Sequence, residues 1–294
     1  MAVNGITNLD NPLLNALSGL QTTQQLLSTV SRNITNDQTP GYVNKTQQAV
    51  SNAATGGSLA GPIVRYINAS LQQKLRTNNA DTAYQTALQT ALGQINQLSG
   101  DPTQGTSIEG QINTLQSDFQ QLATNPQDSG TAEDVLNAAN TLAQNFNAQT
   151  SALFGLQQTA QTNIVNDVNQ VNADLQQIAS LNQQVVSAQA NSQDPTDLED
   201  QRDTAVNNLS SLIGVNAFID NQGVLQVLSS NYTPLAGMYA EHVTYNATNN
   251  AISVSGQQLT NINGDLGGNL QVLTGNTTQA LQNLSEVANQ VTSA

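Results

Sequence analysis

Residues 164–185 read IVNDVNQVNADLQQIASLNQQV, and apolar residues recur in this stretch at alternating steps of four and three. A helix with such a repeat presents one continuous apolar side, and helices of this kind pack lengthwise against one another. The stretch therefore predicts a long helix within a helical bundle. Its apolar side, which we call the bundle seam, consists of Ile164, Val168, Val171, Leu175, Ile178 and Val185.

Asn182 occupies a position in this repeat where an apolar residue is expected. A buried Asn at a seam can fix the register of the helices at some cost in stability. Alternatively, the seam shifts to Leu181 at this point, and we favour this second interpretation.

Three further stretches repeat the heptad spacing, at residues 84–98, 108–122 and 135–156. Clusters of turn-forming and helix-breaking residues separate the predicted helices at 100–102, 125–126 and 191–195. After the last two breaks, Thr131 lies three residues before Asp134, and Thr196 lies three residues before Glu199. This spacing is typical of a capping box at a helix N-terminus. The signals together predict a bundle of long helices over residues 78–213.

The apolar pattern changes after Ile213, where Val215, Ala217 and Ile219 alternate with other residues. Alternation punctuated by Gly and Asn predicts a small antiparallel β domain over residues 214–274, set beside the bundle as a side module. Helical spacing resumes in residues 275–294, which we expect to return to the bundle. The predicted fold class is mainly α: an elongated bundle of long heptad-patterned helices with a small antiparallel β domain inserted near the C-terminal end.

Residues 1–36 predict one more amphipathic helix, whose first ten residues we expect to fray. Periodicity alone favours an ordinary helix of the core. An extended linker and turn region follows over residues 37–77, opening with an Asn-rich turn at Pro40 and Gly41. The apolar residues of the helix, which we call the stripe, are Leu13, Leu17, Leu20, Leu27, Val30 and Ile34.

The composition excludes several classes of protein. The net charge is -14, and the six basic residues are scattered along the chain, so a nucleic-acid partner is not expected. The chain has no cysteine and therefore neither a disulfide nor a thiolate site. The first thirty residues lack the basic and apolar segments of a signal peptide, and no stretch is long and apolar enough for membrane insertion.

No arrangement of residues predicts catalysis or a cofactor. The densest acidic segment, DPTDLEDQRD at 194–203, lacks the glycine and the carboxylate spacing of a calcium loop. We expect its acids to complement a helix N-terminus, with Glu199 paired to Arg202. His242, the one histidine, is expected to be a solvated strand residue. Without a phosphate loop, a nucleophile elbow or a set of metal ligands, we predict no enzymatic activity.

The run ALSGLQTTQQLLSTVSRNITNDQTPGY at 16–42 resembles the N-terminal segment of the bacterial flagellar axial proteins, which include rod, hook and hook-associated proteins. In these proteins an Ala-Leu-Ser-Gly-Leu helix leads to Asn-Ile-x-Asn and then to Thr-Pro-Gly-Tyr or Thr-Pro-Gly-Phe. The resemblance implies that the helix lines the inner wall of a tube and that the turn leads the chain outward. The turn motif comprises Asn33, Asn36, Thr39, Pro40, Gly41 and Tyr42.

Within these proteins, segments 63–83, 142–149, 169–185 and 197–215 are similar to successive parts of the hook-associated protein 1 family. The resemblance implies a structural joint: a ring of subunits between hook and filament, contacting the hook protein on one side and the next hook-associated protein on the other. It also implies an extracellular location, reached unfolded through the flagellar type III apparatus without a cleaved signal peptide, and an export chaperone.

The sequence departs from the family pattern in two places. Val43, Asn44 and Lys45 stand where family members often carry Ser-Arg. The family also closes with a C-terminal helix that pairs with the N-terminal one, whereas the sequence ends at Ala294 within the returning helix and is truncated relative to that pattern. Two alternatives remain: another flagellar axial protein of the hook or rod, and a secreted helical adhesin or binding module that uses its β domain for recognition.

Overall fold

The computed structural model describes residues 7–53, 56–101 and 105–293, with side chains from residue 11 onward. The chain is mainly helical, as predicted, with small antiparallel sheets near its C-terminal end. Part of the fraying expected for residues 1–10, and Pro102 of the first predicted break, lie outside the described residues. The principal helices are α1 Thr7–Asn36, α2 Ala69–Ser99, α3 Ile108–Thr124, α4 Ser129–Ala190, α5 Thr196–Leu212, α6 Gly264–Gln271 and α7 Thr277–Ser293.

Helices end near the predicted breaks, but the predicted caps are wrong. Asp128 caps α4 by accepting a hydrogen bond from the Gly130 amide, because the helix begins before Thr131. At α5 the side chain of Thr196 makes no cap. Instead, Asp194 accepts hydrogen bonds from the amide and the hydroxyl of Thr196.

The region expected to be an extended linker contains a β-hairpin. Strands β1 Lys45–Ser51 and β2 Ser58–Arg65 pair antiparallel, with Lys45 opposite Arg65 and Ser51 opposite Ser58. The largely polar β1 sequence, KTQQAVS, shows no apolar alternation, which is why the pattern missed it. α2 then begins at Ala69, nine residues before the predicted bundle, and the Asn68 side chain caps it.

Two three-stranded antiparallel sheets follow α5, and their strands are β3 Val215–Ile219, β4 Leu225–Ser229, β5 Pro234–Ala236, β6 Val243–Asn246, β7 Ala251–Val254 and β8 Gln257–Gln258. The strands end earlier than predicted, because α6 begins at Gly264. Gly268, within the range predicted to be β structure, lies in α6 against α2, where a side chain would collide with Tyr84 and Ala87. A π-helical turn, Val272–Asn276, joins α6 to α7, which lies beside α4.

The bundle seam of α4 is buried along its whole length, but its neighbours are not only helices. In one cluster, Ile164, Leu175 and Ile178 share a core with residues of α5, α6 and both sheets. The sheets are therefore part of the principal core and do not form a separate side module. A helix can bury an apolar face equally well against a sheet, so the heptad spacing did not specify its partner.

Candidate functional site

The predicted stripe lies on the outer side of α1, exposed to solvent. Its six side chains are between 49% and 73% exposed, with Leu20 at 58%. A monomeric protein rarely leaves an apolar row of this length uncovered, and such rows mark interaction surfaces. The interpretation of α1 as an ordinary core helix is therefore not supported.

The opposite side of α1 is polar and packs onto the hairpin. Thr22 and Thr29 are each 4% exposed. The Thr22 hydroxyl donates to the Ser58 carbonyl oxygen at 2.9 Å, and the Thr29 hydroxyl donates to Gln47 Oε1 at 3.0 Å. Because hydrogen bonds fix this side against the sheet, the residues of the stripe face away from it. We call the unit formed by α1, the turn and the hairpin (residues 7–65) the arm, and residues 69–293 the body.

The turn motif ends α1 and joins it to the hairpin. The Thr39 amide donates to the Asn36 carbonyl at 2.9 Å, and the Tyr42 amide donates to the Thr39 carbonyl at 3.1 Å. Asn33 connects both ends of the turn: its Oδ1 accepts from the Tyr42 hydroxyl at 2.9 Å, and its Nδ2 donates to the Lys45 carbonyl at 2.7 Å. The structure thus brings the motif residues together, with Pro40 exposed at the tip.

Gly41 of the turn motif lies close against the body. Its φ of +83° lies in the left-handed region, and a β-carbon at this position would overlap with the hydroxyl of Thr204 in α5. Both features require glycine. The motif therefore shapes the arm and also seats it on the body.

Two cations of the hairpin bind the acidic first turns of α5. Arg65 is 2.8 Å from Asp200, 3.2 Å from Glu199 and 2.5 Å from Asp203 through its three guanidinium nitrogens. Lys45, whose side chain is 1% exposed, lies 3.2 Å from Asp200 and also pairs with Asp197. The acids predicted to stabilise a helix terminus thus bind another part of the chain.

Both hairpin cations remain charged despite their burial. Burial alone would lower the pKa of Lys45, but hydrogen bonds to Asp197 and Asp200 together outweigh it, and the pKa is raised. The pKa of Arg65 is raised in the same way, since Asp203, Asp200 and Glu199 together outweigh burial.

The predicted pairing of Glu199 with Arg202 is wrong. Glu199 binds Arg65, whereas Arg202 points into the core and donates to Asn182 Oδ1 at 3.0 Å and to the Gly223 carbonyl at 3.3 Å.

In the described part of the chain, no group of His, Asp and Glu is suited to hold a metal ion. His242 is exposed as expected, although it precedes β6 and is not within a strand.

Asn182 is fully buried, so the favoured interpretation of the seam is wrong. Its Nδ2 donates to the carbonyls of Leu225 at 2.9 Å and Gly237 at 2.8 Å, while its Oδ1 accepts from the Leu225 amide at 3.0 Å and from Arg202. Leu181 is buried as well. The seam widens here, and the Asn side chain pairs with the backbone of Leu225 in β4 and of Gly237, which directly follows β5. Among the described helices, none combines the length and hydropathy needed to span a bilayer.

A comparison with models of known protein families identifies the family of this chain. The family model for the flagellar hook-associated protein FlgK helical domain matches residues 92–294. The chain belongs to the FlgK family of flagellar hook-associated proteins. The matched residues run from the second half of α2 to the end of α7, and they do not include the arm.

Individual relatives agree with membership of the FlgK family. Flagellar hook-associated protein 1 of Salmonella typhimurium is 29% identical over 244 residues, covering 78% of this chain and 43% of that protein. The Escherichia coli protein of the same name is 28% identical over 245 residues, covering 78% of this chain and 44% of that protein. The chain thus spans less than half the length of these relatives.

A solved FlgK structure shares the fold. The flagellar hook junction protein FlgK from Burkholderia pseudomallei is similar with a TM-score of 0.61 and 28% sequence identity, over 68% of this chain and 38% of that one. The predicted resemblance and the mainly helical fold are both confirmed.

The ion pairs between the arm and the body were not predicted from the sequence. Neither Lys45 nor Arg65 was assigned a partner, although they are two of the six basic residues in the chain. Their separation from the acids by more than 130 positions hides the pairing from any local pattern. The available signal was the charge of the segment 194–203, where five acids are accompanied by one cation, Arg202.

Proposed function

We propose that this chain is a structural subunit of the bacterial flagellum that joins hook to filament by assembling with copies of itself into a ring. The observation that carries the proposal is the uncovered stripe of α1, on a helix whose polar side is already bound to the hairpin. Membership of the FlgK family of flagellar hook-associated proteins supports the flagellum as the structure in which the subunit acts.

Burial between subunits supplies the driving force for assembly. Fully burying one Leu side chain contributes about 1.5–3 kcal/mol. The summed contribution of the six stripe residues outweighs the entropy lost when two subunits associate only if most of the six are buried. The stripe therefore acts as a unit. A free-standing binding module would instead bury the stripe within its own core, so the exposure of Leu20 and its neighbours argues against that alternative.

The proposed partners follow from the family: further copies in the ring, the hook protein on one side and the next hook-associated protein on the other, with a chaperone before export. The proposed location is extracellular, reached through the flagellar export channel without a cleaved signal peptide. The role is structural, without catalysis or cofactor. Within the chain, we propose that α1 serves the tube wall and that the helical body sets the spacing of neighbouring subunits.

The test is incorporation of a stripe variant into flagella in place of the native copy. Leu20→Asp is expected to leave the body folded but to prevent incorporation, since a buried carboxylate between subunits has no cation on α1 near it. Gln21→Asp adds the same charge to an adjacent exposed position off the stripe and is the matched control. Leu20→Asp subunits that assemble and support normal motility would refute this role for the stripe.

A further inference from the structure

The arm and the body are joined by one covalent connection. The chain leaves the hairpin at Arg65 and enters α2 at Ala69. In this short segment Tyr66 is 78% exposed and Ile67 is 38% exposed. A three-residue connection without burial is a hinge unless other contacts restrain it.

Apolar packing does not provide that restraint. The described residues form two hydrophobic clusters, and neither includes a residue of the arm. Within the arm, hydrogen bonds of Thr22, Thr29 and Asn33 fix α1 to the hairpin. Arm and body are thus separately packed units, and polar contacts hold them together.

Those polar contacts are concentrated in one cluster. Eight ion pairs join described side chains, and the acid in each lies within residues 194–203. Seven of the eight use a cation of the arm, namely Arg32, Lys45 or Arg65. Three of the six basic residues in the chain thus form ion pairs between the arm and the body.

We propose that this cluster is an ionic latch that fixes the orientation of the arm on the body, and that its release lets the arm turn about residues 66–68 while both units stay folded. The inference concerns the single subunit and does not depend on the proposed function. It assigns to Lys45 and Arg65 a conformational role that the family comparisons do not address.

The body can keep its fold when the latch opens, because Asp203 keeps a cation of the body and the other acids gain contact with water. Asp203 also pairs with Arg76 of α2 at 3.7 Å, inside the body. Asp203 and Glu199 favour the charged form of the buried Arg202 and so counter the lowering of its pKa by burial. On the other side, Lys45 and Arg65 would exchange carboxylates for water as the hairpin turns outward.

The test is a distance measurement between spin labels at Ser28→Cys on α1 and Gln176→Cys on α4, both exposed positions in a chain without native cysteine. The parent protein is expected to give one narrow distance distribution. Lys45→Gln combined with Arg65→Gln is expected to give a broad distribution with longer distances. Lys74→Gln, which removes an exposed cation of the body outside the latch, is the matched control and should leave the distribution narrow.

Amide hydrogen exchange of residues 164–185 in the same variants separates release of the arm from loss of folding. A broadened distance with unchanged protection of the seam supports the latch. An unchanged narrow distance in the double variant would overturn it. Loss of seam protection in parallel with the broadening would also overturn it, since the cations would then support the fold as a whole. Arg65→Lys with Lys45 intact, which retains both charges, should give a distribution narrower than that of the double variant.

Discussion

Asn182 of α4 and Leu225 of β4 exchange two hydrogen bonds, the side-chain amide of one with the backbone of the other, at 2.9 and 3.0 Å. Residues of adjacent antiparallel strands exchange bonds in the same way. A helix side chain thus takes the place of a strand backbone. The same device recurs about three turns earlier in α4, where Asn172 exchanges bonds of 2.9 and 2.8 Å with Val243 of β6.

Asn182→Leu would complete the apolar seam and yet is expected to destabilise the protein. The substitution removes one of the two acceptors of the buried Arg202 and the partners of Leu225 and Gly237, and leaving such groups unpaired costs about 3–5 kcal/mol. The free energy of unfolding in urea measures this loss. Gln184→Leu, at an exposed position of the same helix, should change stability by less than about 0.5 kcal/mol. An Asn182→Leu variant as stable as the parent would contradict the account.

Gly41→Ala is expected to loosen the seat of the arm on the body. A left-handed φ in a residue other than glycine costs about 1–3 kcal/mol, and the new methyl group would also collide with Thr204. Faster amide exchange at residues 42–45 reports the effect. In a double variant with Gly41→Ala, Thr204→Ala should restore part of the amide protection at residues 42–45, because it relieves the collision but not the backbone strain.

The control for this substitution lies in α1. Gly19 sits inside the helix, and a β-carbon added there would meet no atom within 4 Å. Gly19→Ala should therefore stabilise α1, by about 0.5–1 kcal/mol. Equal effects at positions 19 and 41 would show that the turn does not require glycine.

Asp167 makes stability depend on pH. Burial and the charge of Asp265 raise its pKa from 3.8 to about 6, although a hydrogen bond from Asn269 lowers it in part. Burial also raises the pKa of Asp265, which faces it from α6. The folded chain therefore binds more protons than the unfolded chain between these values, so the free energy of unfolding falls as pH rises from about 4 to about 6 and stays lower above it.

Asp167→Asn should remove most of this dependence. At about pH 8 the variant is expected to be more stable than the parent by about 1–3 kcal/mol, and near pH 4 the two should be equal. Urea unfolding at a series of pH values measures the difference. For Asp134→Asn, at an exposed position of α4, the free energy of unfolding should change with pH in the same way as that of the parent. A variant less stable than the parent at the alkaline end of the series would contradict the assigned cause.

The sequence predicted the helices better than it predicted their partners. Periodicity in residues 164–185 indicated that one side is buried, and it is, since burial of a helix face depends on local spacing. It did not indicate that sheets would cover part of that side. Asn182 and Arg202 were misinterpreted for the same reason: their partners, Leu225 and Gly223, lie 43 and 21 residues further along the chain.

The candidate site was predictable where it is apolar and unpredictable where it is ionic. The stripe follows from the spacing of leucines in α1, and the turn motif from its resemblance to the flagellar axial proteins. The hairpin was missed because β1 is nearly uniformly polar, and with it the pairing of Lys45 and Arg65 to α5. Long-range ion pairs depend on tertiary structure, and no local pattern encodes them.

The central claim is that the stripe is free in the subunit and covered in the assembled flagellum. A single cysteine, Leu20→Cys in a chain without others, tests it through the rate of modification by a thiol reagent, with Gln21→Cys as the control. We predict rapid modification of both in the purified subunit and strong protection of Leu20→Cys alone in assembled flagella. Equal rates for Leu20→Cys in the free and assembled states, in particles that contain the variant, would contradict the claim.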